Sequence, residues 1–129
     1  IQCEYYALEG VTQLMRTIEA VRHAMNKELR LGSILMTMFD GRTRLSTQVD
    51  EEVRTHFARE TMSTRIPRSV RVSEAPSYSR SVLTYEPTSA GAVAYREATA
   101  EFAKRHAGDE HSTNTSGVKH PDVSDTKKG

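Results

Sequence analysis

The chain has 129 residues, of which 36% are hydrophobic, and a formal net charge of +1, which is the size of one ordinary domain. Its single cysteine, Cys3, excludes an internal disulfide and a cysteine metal cluster and fits a reducing, cytoplasmic setting. No apolar run approaches the ~20 residues needed to span a bilayer, and no signal peptide is visible, so no membrane association is expected.

Taken in order, residues 1–3 read as the end of a strand. From about Tyr6 to Leu29 the residues Leu8, Val11, Leu14, Ile18, Val21 and Met25 recur at three- and four-residue steps, the buried face of an amphipathic helix. Leu31 to Phe39 is a nearly continuous apolar run closed by Asp40-Gly41, which predicts a strand buried on both faces. Ser46 is the expected cap of a second helix to about Phe57, with Leu45, Val49, Val53 and Phe57 as its buried stripe. Met62 to Ile66 is a short strand that Pro67 should end. An irregular or short helical passage follows to Pro87. Ser89 then caps a last helix, about Ala90 to Arg105, expected to bury Val93 or Ala94, Ala98 and Phe102.

Beyond His106 the composition turns polar, and residues 106–129 read as a disordered tail. Its histidines, His106, His111 and His120, lack a folded frame for a metal. The pattern of helices alternating with strands predicts an α/β fold with a parallel sheet flanked by helices. So few strands make a poor sheet. Together with an opening on Ile1 rather than methionine, this leads to the expectation of a piece of a longer protein.

The charge is unevenly placed. Arg42, Arg44, Arg54, Arg59, Arg65, Arg68, Arg71 and Arg80 crowd one stretch, and guanidinium groups are the usual phosphate ligands. In a parallel sheet the loops after Phe39 and Ile66 emerge on one edge, where α/β proteins collect ligands. That brings Asp40, Arg42, Arg44, Pro67, Arg68, Ser69 and Arg71 near one another. The plainer reading is solvated loops capping the sheet. No triad is persuasive: Cys3 has no nearby histidine, and His23 and His56 fall on exposed helix faces. Neither G-x-x-x-x-G-K-[ST] nor G-x-G-x-x-G occurs, so no catalytic or metal residue is assigned.

Four blocks carry a resemblance: Cys3 to Gly10, Leu35 to Thr43, Ile66 to Tyr78 and Ser89 to Tyr95. In that order they resemble the C-terminal part of the ParA/Soj chromosome-partitioning ATPases, over roughly residues 1–105. The resemblance implies a deviant Walker A P-loop ATPase that binds ATP with Mg²⁺ and dimerises around nucleotide. It also implies non-specific DNA binding and stimulation by a ParB-like partner, on the nucleoid in the cytoplasm. The family's P-loop, catalytic aspartate and Walker B segment have no counterpart in these residues. The chain alone is therefore expected to be inactive, the C-terminal portion of a P-loop NTPase sheet without its N-terminal P-loop portion.

Two roles carry over onto matching positions. Pro67, Arg68 and Ser69 resemble the family's adenine-side contact, with asparagine the usual residue where Ser69 stands, and Met38 and Asp40 would line the same pocket. Arg42 and Arg71 match DNA-contacting arginines, with Arg68 and Arg80 as further candidates. Such contacts go to phosphates and are sequence-independent. Glu74 and Pro76 are read as shaping their loop. The alternative is a non-catalytic interaction module that keeps this half of the fold.

Overall fold

The structure is a computed structural model that describes residues 1–107; of the expected tail, His106 is helical and not without a frame, while residues 108–129, with His111 and His120, lie outside the described residues. Gln2 forms a parallel bridge with Thr37. The Cys3 N–H donates to the Thr37 carbonyl at 2.9 Å, and the Thr37 N–H donates to the Ile1 carbonyl at 2.7 Å. The opening residues therefore do lie in the sheet. The elements then run α1 (Ala7–Ala24), β1 (Ile34–Phe39), α2 (Arg44–His56), β2 (Thr61–Pro67), α3 (Val70–Glu74), a 3-10 turn (Ala75–Tyr78), α4 (Val82–Tyr85) and α5 (Ala90–His106). β1 and β2 pair in parallel, so β1 is the central segment, and the architecture is the expected α/β sheet flanked by helices.

Alternation along the strands sets the two faces. On one face Ile34 and Met36 pack with Val49 and Val53 of α2, with Cys3, and with half-buried Ala7 and Leu8 of α1. On the other, Met62 and Ile66 of β2 pack with Ala94 and Ala98 of α5, joined by Leu35. Met36, Ile66 and Val53 are the largest fully buried side chains, each contributing about 1.5–3 kcal/mol. A third cluster, Ala75, Val82 and Ala92, docks the 3-10 turn and α4 against the start of α5.

Several boundaries and burials differ from expectation. α1 ends at Ala24, where Met25 and Asn26 both donate to the Val21 carbonyl, and the Asn26 side chain accepts the Glu28 N–H at 3.0 Å. That turn chemistry stops the helix before Leu29. Within α1 only Val11 is buried; Met15, Ile18 and Val21 are half-buried, and Leu14, off that stripe, is 52% exposed. β1 is fully buried only at Ile34 and Met36. Thr43, not Ser46, caps α2, accepting the Ser46 N–H at 3.3 Å. Ser46 sits one turn in, buried, and its Oγ accepts the Asp40 N–H at 3.0 Å. In α5, Ser89 caps as expected and accepts the Ala92 N–H. Ala94 and Ala98 face the sheet, while Val93 and Phe102 point outward. Alanines suit that contact because they let the helix approach β2 closely.

The pairing of β1 and β2 is irregular. Ile34 faces Thr61, Met36 faces Arg65 and Phe39 faces Pro67, so β2 bulges between Thr61 and Arg65. Glu101 of α5 catches the bulge, accepting the Ser63 N–H at 2.7 Å and the Thr64 N–H and hydroxyl at 2.8 Å each. One turn on, Arg105 donates to the Arg59 and Thr61 carbonyls, both at 2.9 Å. These two side chains occupy backbone groups that a strand otherwise offers to another chain. Burial opposes ionisation of Glu101, but the hydrogen bonds from Ser63, Thr64 and Arg105 outweigh it and lower its pKa to about 2.

The sign follows from that depression. Stability from this carboxylate is complete above its unfolded value of 4.5 and is lost as pH falls toward about 2. Glu101→Ala should therefore cost about 2 kcal/mol at neutral pH, and the gap to wild type should close in acid. Urea unfolding of both proteins across that pH range measures it. A gap that stays constant into acid would refute the assignment.

Candidate functional site

The two strand ends lie side by side. Phe39 is opposite Pro67, and the Arg68 N–H donates to the Phe39 carbonyl at 2.9 Å. Just before that contact Met38 adopts φ 56°. A non-glycine residue in the left-handed region inside a strand is uncommon, and such strain collects at functional sites. It falls where β1 spends three steps against two of β2, so the strained residue absorbs the mismatch.

Asp40 organises the β1 end. One carboxylate oxygen accepts the Arg42 N–H at 3.1 Å and Nε at 2.9 Å, and the other accepts Nη2 at 2.8 Å. The Asp40 carbonyl accepts from the Thr43 N–H and hydroxyl, each at 3.0 Å. The bidentate Arg42 guanidinium holds the Asp40 carboxyl down at about 2, with the charge of Arg68 contributing. Arg42 itself remains 89% exposed. Across the rim Arg68 forms an ion pair with Glu4, a residue that sequence reasoning left out because it lies 64 positions away.

The rim therefore unites Met38, Asp40, Arg42, Pro67 and Arg68. Ser69 follows as the extended N-cap of α3 without a side-chain cap bond. Arg44 stands at the exposed start of α2. Arg71 and Arg80 lie on the next segment. Arg71 pairs with Glu74 at 3.1 Å on the exposed side of α3. Arg80 follows Ser79, whose φ is 52°, and its N–H returns to the Ala75 carbonyl at 3.2 Å. Pro76 stands in the 3-10 turn.

Not every arginine of the crowded stretch faces out. Arg65 turns inward, donating to Asp50 Oδ2 at 3.0 and 2.7 Å and lying 5.2 Å from the Phe39 ring centroid. Arg54 donates to the same oxygen at 2.9 Å. Burial works against ionisation of Asp50, yet the two arginines keep its pKa below the usual carboxylate range. Cys3 is 3% exposed, and burial pushes its thiol pKa up. Sequence reasoning gave no sign of this knot, because Asp50 sits among polar residues of α2. The His106 ring lies 3.1 Å from the Ser33 hydroxyl and 4.4 Å, centroid to centroid, from Phe102. His23 and His56 are exposed, as expected. Among the described residues no group of three histidine, cysteine, aspartate or glutamate side chains could hold a metal, and no helix is long and apolar enough to cross a membrane.

Gly91 fixes how α3 meets α5. A Cβ there would lie 2.5 Å from Val72 Cγ2 and 3.5 Å from the Ser69 side chain.

No protein-family model matches the chain. Curated relatives do. The chain is 50% identical over 105 residues to "Chromosome-partitioning ATPase Soj" of Thermus thermophilus, a match covering 81% of this chain and 42% of that protein. It is 49% identical over 105 residues to "Chromosome partitioning protein ParA" of Caulobacter vibrioides, covering 81% and 39%. It is 46% identical over 103 residues to "Sporulation initiation inhibitor protein Soj" of Bacillus subtilis, covering 80% and 41%. The matched part thus spans about two-fifths of the length of these relatives.

The Gly91 contact yields a test. Gly91→Ala should cost about 1–3 kcal/mol by overpacking, and Val72→Ala in the same chain should recover most of it. Chemical unfolding of the single and double variants measures both. Additive losses would show that the close approach is not what Gly91 serves.

Proposed function

We propose that this chain, a member of the ParA/Soj family over the 105 residues it shares with its relatives, works in chromosome or plasmid partitioning. In this reading it supplies the adenine side of an ATP pocket and part of a non-specific DNA-binding surface. Residues 1–105 are the working unit, closed by His106 at the end of α5, and the polar residues beyond it are an appended tail. The observation that carries the reading is the joined pair of strand ends, with the Arg68 N–H on the Phe39 carbonyl.

That junction gives a planar base what it needs. Backbone groups around Pro67 and Arg68 offer fixed polar contacts, Met38 offers a polarisable side chain, and Ser69 offers a hydroxyl where relatives of the resemblance carry an amide. Arg42 and Arg71 present exposed guanidinium groups for phosphates, with Arg68 and Arg80 flanking them. Holding the ATP phosphates with Mg²⁺ is the work of a P-loop in the resembled family, and no such motif occurs in the 129 residues. ATP, Mg²⁺, a ParB-like partner and a nucleotide-bound homodimer on the nucleoid belong to the function proposed for the complete partitioning ATPase.

Two outcomes are expected. The purified chain should not turn over ATP, and phosphate release well above a buffer blank would overturn this. Arg42→Ala and Arg71→Ala should each weaken binding to duplex DNA of unrelated sequences alike, and each should reduce the slope of log affinity against log salt by about 1. Fluorescence anisotropy across a salt series reads both quantities. Unchanged affinity and slope in both variants would remove these arginines from the surface.

A further inference from the structure

We propose that Glu74 is an internal competitor for phosphate, holding Arg71 in an ion pair that nucleic acid must displace and so lowering the affinity of this surface. The inference rests on the reading of Arg71 as a DNA contact. It adds what governs that contact.

Three of the four candidate arginines already have a carboxylate. Arg42 has Asp40, Arg68 has Glu4 and Arg71 has Glu74. The pairs are not equivalent. The Arg42 guanidinium meets both oxygens of Asp40, and the same carboxylate accepts the Arg42 backbone N–H, so Asp40 also braces its own turn and is not a competitor alone. Arg71 gives Glu74 one contact of 3.1 Å, and the two side chains are 54% and 41% exposed. An exposed pair of that kind holds its partner by a factor of only about two to five. A phosphodiester brings the same charge with two acceptor oxygens, so it can take over the guanidinium.

Once displaced, Glu74 remains close, because it stands three residues from Arg71 on the same short helix. The Tyr85 hydroxyl donates to the same Glu74 oxygen in a long bond of 3.4 Å. Tyr85 in turn stacks on Tyr78, with centroids 4.9 Å apart and planes 20° from parallel. The carboxylate therefore stays beside the incoming phosphate as a like charge. Glu74 opposes binding twice, by occupying Arg71 beforehand and by repelling phosphate afterwards. Its place at i+3 on α3 also supports the helix, and the test must separate that role from competition.

The full chain carrying Glu74→Gln should bind duplex DNA about two- to fivefold more tightly at low salt, with a salt slope steeper by up to about 1. Glu28→Gln makes the same charge change in the exposed turn before β1, at the other end of the sheet, and should give a smaller gain. In an Arg71→Ala background the gain from Glu74→Gln should fall to that of Glu28→Gln. Circular dichroism and urea midpoints check that Glu74→Gln remains folded.

Equal gains from Glu74→Gln and Glu28→Gln would overturn the inference, as would an undiminished gain without Arg71. If Arg71→Ala weakens binding while Glu74→Gln leaves it unchanged, competition is wrong and the DNA surface stands. If the wild-type chain binds no DNA at any salt, the DNA reading fails and the inference fails with it.

Discussion

The parallel pairing of β1 with β2, closed by the Arg68 N–H on the Phe39 carbonyl, is the constraint on which the rest depends. It converts two turns 28 residues apart, after Phe39 and after Pro67, into neighbours. The pairing is not a plain ladder. β2 bulges between Thr61 and Arg65, and β1 takes its extra residue at Met38 with a left-handed backbone. Each irregularity has its own support. Glu101 and Arg105 satisfy the exposed groups of the β2 segment, and Met38 is held between paired Met36 and Phe39. Strained backbone persists where the surroundings over-determine it, and the register on both sides of Met38 does so.

The Asp50 knot ties this junction to α2. Asp50 and Arg54 come from α2, Arg65 from β2, and the Arg65 guanidinium lies over the Phe39 ring. A buried ion pair adds little net stability, because desolvation offsets the Coulomb attraction, while loss of one partner strands the other. Asp50 Oδ1 and Arg54 Nη2 are buried without hydrogen-bond partners, so the knot is an incompletely satisfied one. Its contribution is better seen as geometric: it fixes the angle at which α2 leaves the rim, and Thr43 and Ser46 at the start of that helix hold Asp40 by its backbone. An arginine-rich composition therefore overstates the charge available to a ligand. Arg54 and Arg65 are both spent on Asp50.

What was legible in the sequence was whatever depends on period and local chemistry. The apolar run to Phe39, the break at Pro67 and the Ser89 cap each report a local preference, and each appears in the structure. What was illegible depends on partners distant in the chain. The stripe of α1 has a helical period, but period does not say what covers Leu14 or Met25. Ser46 has the chemistry of a cap, but Thr43, three residues earlier, has it too and is the one that caps α2. Glu4 on Arg68 and Glu101 on the β2 bulge are long-range pairings that no window of sequence contains. The four recognisable blocks exceeded what periodicity could offer, since they pointed to one edge of one fold.

The rim and the arginine surface share a backbone. Ser69 ends the Pro67–Ser69 stretch and is also the N-cap of α3, so Arg71 stands on the first turn of a helix whose start is the rim itself. α3 cannot slide freely, because Gly91 lets α5 approach to the limit against Val72 and Ser69. Under the proposed function, a base seated at Pro67 and Arg68 would bear directly on the N-cap of α3. The proposed base contact and the proposed phosphate competition thus share one continuous stretch of backbone, from Pro67 to Glu74. Between Arg68 and Arg71 stand only the N-cap Ser69 and Val70, the first residue of α3.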